Sequence, residues 1–284
     1  MKKITLLLLL STTYIFSNIN AIVSILPQQT FLKAIGGDKV NIALMVQPGN
    51  SPHTYEPKPS QMVAVAKADI YFAIDVEFEH VWLPKFQSLN GNMKIIDIAD
   101  GIEKMHMSHA QHEHKTDDAH GHAGEDPHIW TTPDNVKIIA KNIYDALVKQ
   151  DSTNAPYYKK NLDTFLASVD ETDKQIRELL STLGQSRTFM VFHPSWGYFA
   201  KAYDLEQIAV EVEGKSPKPR ELVNLIKEAK KQKVKAIFTQ PEFSDSSAKI
   251  IANELHIPVV KVSPMAPNWS ENLVNIAKTI AGQN

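Results

Sequence analysis

The chain has 284 residues, 43% of them hydrophobic and 22% charged, and it contains no cysteine. That length fits two domains of ordinary size, and the apolar content excludes a disordered chain. A formal net charge of −2 leaves no electrostatic footprint for nucleic acid. The missing cysteines exclude disulfides, thiolate metal ligands and a lipidated N-terminal cysteine.

At the N-terminus Lys2 and Lys3 precede an unbroken apolar run, residues 4–10, extended weakly by residues 14–16. This is the form of a secretory signal. Ile19-Asn20-Ala21 offers a small residue for cleavage, so residues 1–21 are read as a signal peptide. The run is far shorter than the roughly 20 residues a spanning helix needs, and no later segment is long and apolar enough. Loss of two of the 30 basic residues, against 32 acidic ones, takes the mature net charge to about −4. A monomer free in a bacterial periplasm is the expectation.

Residues 22–26, 40–46, 70–74 and 94–98 then read as strands, with helices around 28–35 and 59–66 between the first three. Thr132 and Pro133 have the pattern of an N-cap followed by proline at the first helical position, opening a helix to about residue 149. In the second half, strands are expected at 188–192, 208–212, 234–239 and 258–262, and helices at 219–232, 246–255 and 271–281. The alternation predicts an α/β protein of two βα lobes, each with a mostly parallel sheet. The lobes span 22–153 and 185–284, and no sequence repeat stands out between them. Lys227, Lys230, Lys231, Lys233 and Lys235 cluster, but they edge a helix leading into an apolar strand and read as a solvated face.

Residues 154–184 lie between the lobes. From 155 to 183 there is no glycine and no proline after Pro156, and Leu162, Phe165, Leu166, Val169, Ile176, Leu179 and Leu180 share one helical face. At ~1.5 Å per residue this helix reaches roughly 40 Å. It either joins the lobes as a rigid bridge or packs within one of them, and its length favours the bridge.

The chain has 11 histidines, unevenly spread. His106, His109, His112, His114, His120 and His122 crowd residues 105–125 beside Glu113, Asp117, Asp118 and Glu125. The segment has too few apolar residues to bury itself and reads as a loop. Imidazoles with carboxylates suit zinc, copper or nickel, so it is expected to collect several ions weakly. Three other histidines differ in context. His53 lies in a proline-pinned turn, Pro52-His53-Thr54-Tyr55-Glu56-Pro57, just past a strand. His128 lies in Asp126-Pro127-His128-Ile129-Trp130, before the capped helix. His193 opens His193-Pro194-Ser195-Trp196-Gly197-Tyr198-Phe199 at the C-terminal end of a strand, where ligands of open α/β sheets gather. A metal held by all three would sit between the lobes. His80 and His256 read as structural.

These three motifs, in this order, resemble those of the substrate-binding proteins of zinc and manganese ABC transporters, the ZnuA-like group. The long helix, the acidic His-rich insertion and Gln240-Pro241-Glu242-Phe243 are similar too, so the resemblance covers essentially the whole mature chain. It implies a bilobal fold bridged by one helix, metal ligands His53, His128 and His193, and delivery of Zn²⁺ as cargo to an inner-membrane ABC permease, without enzymatic chemistry. Manganese members resemble the chain at the first two histidines but tend to have a carboxylate at the position of His193. Three imidazoles favour zinc over manganese or iron. The loop that supplies a fourth carboxylate in some members reads Val262-Ser263-Pro264-Met265-Ala266-Pro267, without one. Water or a residue from elsewhere, such as the 105–125 loop, is then the expected fourth ligand, with Glu56 and Glu242 as supporting or replacement candidates. A zinc hydrolase also uses three histidines and an open position, but no His-Glu-x-x-His pattern occurs. An adhesin or a plain zinc buffer does not account for three pinned histidines in separate lobes.

Overall fold

The computed structural model describes residues 18–107, 124–184, 187–211 and 215–283. In the first lobe, strands β1 (Ile19–Val23), β2 (Val40–Leu44), β3 (Ile70–Ala73) and β4 (Lys94–Asp97) form one parallel sheet in the order β2-β1-β3-β4. Helices α1 (Leu26–Gly36), α2 (Pro59–Lys67), α3 (Glu77–Leu89) and α4 (Pro133–Gln150) complete it. After α5 (Ala155–Leu180), the second lobe repeats the plan. Strands β5 (Thr188–Val191), β6 (Glu206–Ala209), β7 (Ile237–Thr239) and β8 (Val259–Lys261) pair in parallel in the order β6-β5-β7-β8. Its helices are α6 (Gly197–Ala202), α7 (Pro219–Lys231), α8 (Ser246–Leu255) and α9 (Trp269–Ala281).

The inner strands are apolar on both faces because helices cover both. Ala21 to Val23 and all of β3 are buried, as are all four residues of β5. The expected strand at 22–26 starts three residues earlier. Ile25 and Leu26 instead turn into α1, with Pro27 in its first turn. A cut after Ala21 would delete three of the five residues of β1. It would remove the pairings of Ile19 with Val40, Asn20 with Asn41 and Ala21 with both Ile42 and Ile70. β6 likewise starts and ends before the expected 208–212, although Val210 and Glu211 still bond to Val191 and Phe192 of the neighbouring chain segment at 2.8 and 3.1 Å. Helices α3 and α6 were not expected. α3 carries Pro84 in its interior and α6 has only six residues.

Helix α5 joins the lobes. Its face of Tyr158, Leu162, Val169, Ile176 and Leu180 is buried, while Phe165, Leu166 and Leu179 pack at the margin. It lies against α1 and α4 of the first lobe and α9 of the second. α9 also reaches across, its Trp269 ring edge-on to Phe31 of α1 at 5.7 Å. One apolar core therefore runs through the first lobe, α5, α9 and the inner face of the second lobe, and a smaller core under α7 and α8 stands apart. Hydrogen bonds close the seam: Trp130 Nε1 donates to Pro264 O and Trp269 Nε1 to Trp130 O, both at 2.7 Å, and Thr30 Oγ1 to Pro267 O at 2.9 Å. Among the described residues no helix is long and apolar enough to cross a membrane.

Candidate metal centre

The β2–α2 turn positions His53. Gly49 takes φ +82°, a conformation open to glycine, Asn50 N bonds back to Gln47 O at 3.1 Å, and His53 N donates to Ser51 Oγ at 3.3 Å. His53 Nδ1 meets Glu77 Oε1, in the first turn of α3, at 2.7 Å. His128 caps the short 3-10 turn Ile129–Thr131. Asp126 Oδ1 accepts from both its backbone N, at 2.9 Å, and its Nδ1, at 2.7 Å. His193 directly follows β5 and Phe192. Gln240 brackets its backbone, accepting from His193 N at 3.3 Å and donating to His193 O at 2.8 Å. Its Nδ1 lies 2.8 Å from Glu211 Oε1, and its ring stacks on Phe243 at 4.8 Å.

The three rings converge. Their candidate ligand atoms lie within 4.8 Å of one another, with His53 half-buried and His128 and His193 buried. His53 Nε2 and His193 Nε2 are 3.1 Å apart. At zinc–nitrogen bonds of ~2.0–2.1 Å, tetrahedral angles separate neighbouring nitrogens by about 3.3 Å, so this pair needs little adjustment. Each Nδ1 faces a carboxylate and carries the proton that this bond requires. The lone pair of each ring is thereby left on Nε2, toward the shared centre. Burial holds His128 below its ordinary value of 6.5, against Asp126, and the other two imidazoles push the same way as burial. Burial, the largest single influence, would raise the Glu77 carboxyl, but the hydrogen bond and charge of His53, a backbone hydrogen bond and the charge of His128 together outweigh it and leave the group below 4.5. The centre is a cup of three imidazole nitrogens, each ring backed by a carboxyl group, an arrangement suited to a divalent cation.

The other histidines among the described residues lie apart from this cup. His80 Nε2 bonds Asp75 Oδ1 at 2.7 Å, and His256 caps α8 at φ 55°. His106 sits exposed opposite Glu125 in a short antiparallel bridge, closed by Met107 N to Gly124 O and Asp126 N to Met105 O, both at 2.7 Å. His109, His112, His114, His120 and His122 lie outside the described residues. Glu56 is exposed, and Glu242 is half-buried with Ser263 Oγ at 3.5 Å from its Oε1. Burial raises the Glu242 carboxyl above 4.5. Neither glutamate belongs to the convergent group. The carboxylates that do serve the histidines, Glu77, Asp126 and Glu211, were not singled out from the sequence. Asp126 had a signal, standing two residues before His128. Glu211 had a fainter one, a lone charge inside the apolar run 208–212.

A family model described as "ZnuA: Zinc-uptake complex component A periplasmic" matches residues 22–282. The high-affinity zinc uptake system protein ZnuA of Bacillus subtilis (strain 168) is 30% identical over 243 residues, covering 84% of this chain and 75% of that protein. The manganese ABC transporter substrate-binding lipoprotein PsaA of Streptococcus anginosus is 26% identical over 239 residues, 80% of this chain and 74% of its own. Among solved structures, a crystal structure of ZnuA matches with a TM-score of 0.85 at 41% identity, covering 94% of this chain and 99% of that one. A ZnuA deletion mutant with zinc bound matches at 0.84 and 41%, covering 94% and 98%. The laminin-binding adhesin Lmb of Streptococcus agalactiae shares the fold, with a TM-score of 0.79 at 22% identity, covering 94% and 99%.

Proposed function

The chain belongs to the ZnuA family of metal-binding receptors for ABC transporters, and we propose that this member captures Zn²⁺ in the periplasm and delivers it to an inner-membrane permease. The observation that carries this reading is the convergence of His53, His128 and His193 with every Nδ1 engaged by a carboxylate. Relatives include zinc and manganese proteins. Zinc is favoured here because all three donors are imidazoles and residues 262–267 contain no carboxylate, whereas manganese prefers more oxygen. Water takes the fourth position. The ion is cargo, and no enzymatic step is assigned: the carboxylates that meet the three histidines, Glu77, Asp126 and Glu211, each engage an Nδ1 and so orient the rings. The six histidines of residues 105–125 gather ions before transfer to the tight centre. Export uses the N-terminal signal, with cleavage ahead of Ile19.

Isothermal calorimetry tests the assignment. The mature protein should bind one zinc tightly. His53→Ala, His128→Ala and His193→Ala should each weaken that site by at least about a hundredfold, as loss of one of three first-sphere ligands implies. Deleting residues 108–123 should spare the tight site and reduce the total zinc bound. An undiminished tight site in all three alanine variants would refute the ligand set.

A further inference from the structure

The two lobes share more than strand order. Pro57-Lys58-Pro59-Ser60-Gln61-Met62-Val63 leads into α2, and Pro217-Lys218-Pro219-Arg220-Glu221-Leu222-Val223 leads into α7, the topologically equivalent helix. Both caps are built alike, with Gln61 accepting from Lys58 N at 2.9 Å and Glu221 from Lys218 N at 2.6 Å. The prolines and caps serve the helix start. The exposed lysines do not, since a cation opposes the dipole at a helix N-terminus. Among the described residues no ion pair neutralises either ammonium.

A second observation coincides with the first. Five large hydrophobic side chains are exposed among the described residues, and four of them form two matched pairs. Val63 and Val223 are each the fifth residue of α2 and α7, and Val81 and Ile250 are each the fifth residue of α3 and α8. All four are between 50% and 58% exposed, although α2 packs on α3 and α7 on α8. Their helices leave the C-terminal edges of the two sheets, the edge that carries the histidines. Folding does not require exposed residues to match between lobes. Docking onto a partner with matching halves does.

We propose that Lys58, Val63 and Val81 on one lobe, and Lys218, Val223 and Ile250 on the other, form a pair of equivalent docking patches. Their occupant is a membrane permease built of two like halves, each offering a carboxylate to the lysine and an apolar spot to the aliphatic pair. Unpaired cations beside apolar surface fit an acidic, partly apolar partner better than a lipid headgroup layer, which would not select for a two-lobe repeat. This inference rests on the permease-delivery reading above.

The test uses the mature, zinc-loaded protein with its permease–ATPase complex in proteoliposomes. Lys58→Glu and Lys218→Glu should each raise the half-saturating receptor concentration for ATPase stimulation by a similar factor, about five- to tenfold, and the double variant by about the product. Zinc affinity by calorimetry should stay at the wild-type value, showing that the variants fold. Lys58→Gln and Lys218→Gln should give smaller shifts in the same direction. Wild-type stimulation with an unshifted double variant overturns the docking patches alone, and so does an effect confined to one lobe. Failure of the wild-type receptor itself to stimulate overturns the delivery reading and the patches with it.

Discussion

Asp126 performs two tasks with one oxygen. Its Oδ1 fixes both the backbone and the Nδ1 of His128, and its side chain lies so close to Gly197 that a Cβ there would fall 2.6 Å from Oδ2. Asp126→Asn keeps an acceptor in place but removes the charge that makes the imidazole a stronger donor. Zinc affinity should fall about 10- to 100-fold without loss of fold, as competition with a chelator can measure. A second buried acid lies away from the cup. Glu79, 1% exposed, is hydrogen-bonded by Ser24 Oγ and by the backbone N of Ile74 and Asp75, and burial pushes it up to about 7. Between pH 4.5 and 7 the unfolded chain loses this proton while the folded chain keeps it. The group therefore contributes a loss of stability as pH rises through that window, up to about 3 kcal/mol, with no further change above it. Glu79→Gln removes this slope whatever constant offset it adds, so the wild-type and variant melting curves should diverge with pH between 5 and 7. Parallel curves would mean that Glu79 is ionised throughout. Prolines and strand ends set the three histidines apart only weakly in the sequence, and it was the resemblance of the motifs around them to those of the family that singled them out. Glu77 and Glu211 were not legible there, because each meets its histidine only through the tertiary fold.

Among the elements, long periodic segments were read well and short or mixed ones were not. α5 has an unbroken apolar stripe and no internal breaker, and its expected and observed extents nearly coincide. α3 was missed because Pro84 interrupts it and glutamates crowd its start, yet it carries both Glu77 and Glu79. β1 was displaced because a buried strand and the buried start of α1 form one apolar run with no turn residue between them. That displacement has a measurable consequence for export. Ile19 and Ala21 are buried, and Asp69 N and Oδ2 grip the backbone of Asn20 at 2.8 Å in each direction. Intact-mass measurement of protein from the periplasm should therefore find a mature chain that retains Ile19. A chain starting at Ile22 would show that β1 can lose more than half its length.

At the scale of the molecule, α5, α9 and the tryptophan seam make the two lobes one packed body. Opening it as a wide hinge would expose that shared core and break hydrogen bonds at Trp130, Trp269 and Thr30 together. A body closed in this way would leave metal entry and exit to small shifts at the site itself, such as in the β2–α2 turn that carries His53. Small-angle scattering with and without zinc should accordingly show no resolvable change in radius of gyration, whereas a hinged clamp would contract. A body that hardly changes outline gives a docking partner little by which to tell full from empty. If the protein delivers to a permease as proposed, spent receptors would compete with laden ones for the same docking site and act as inhibitors of their own pathway. Import under scarcity would follow the ratio of laden to spent molecules rather than their number, and a cell that overproduced the receptor without more metal would slow its own uptake.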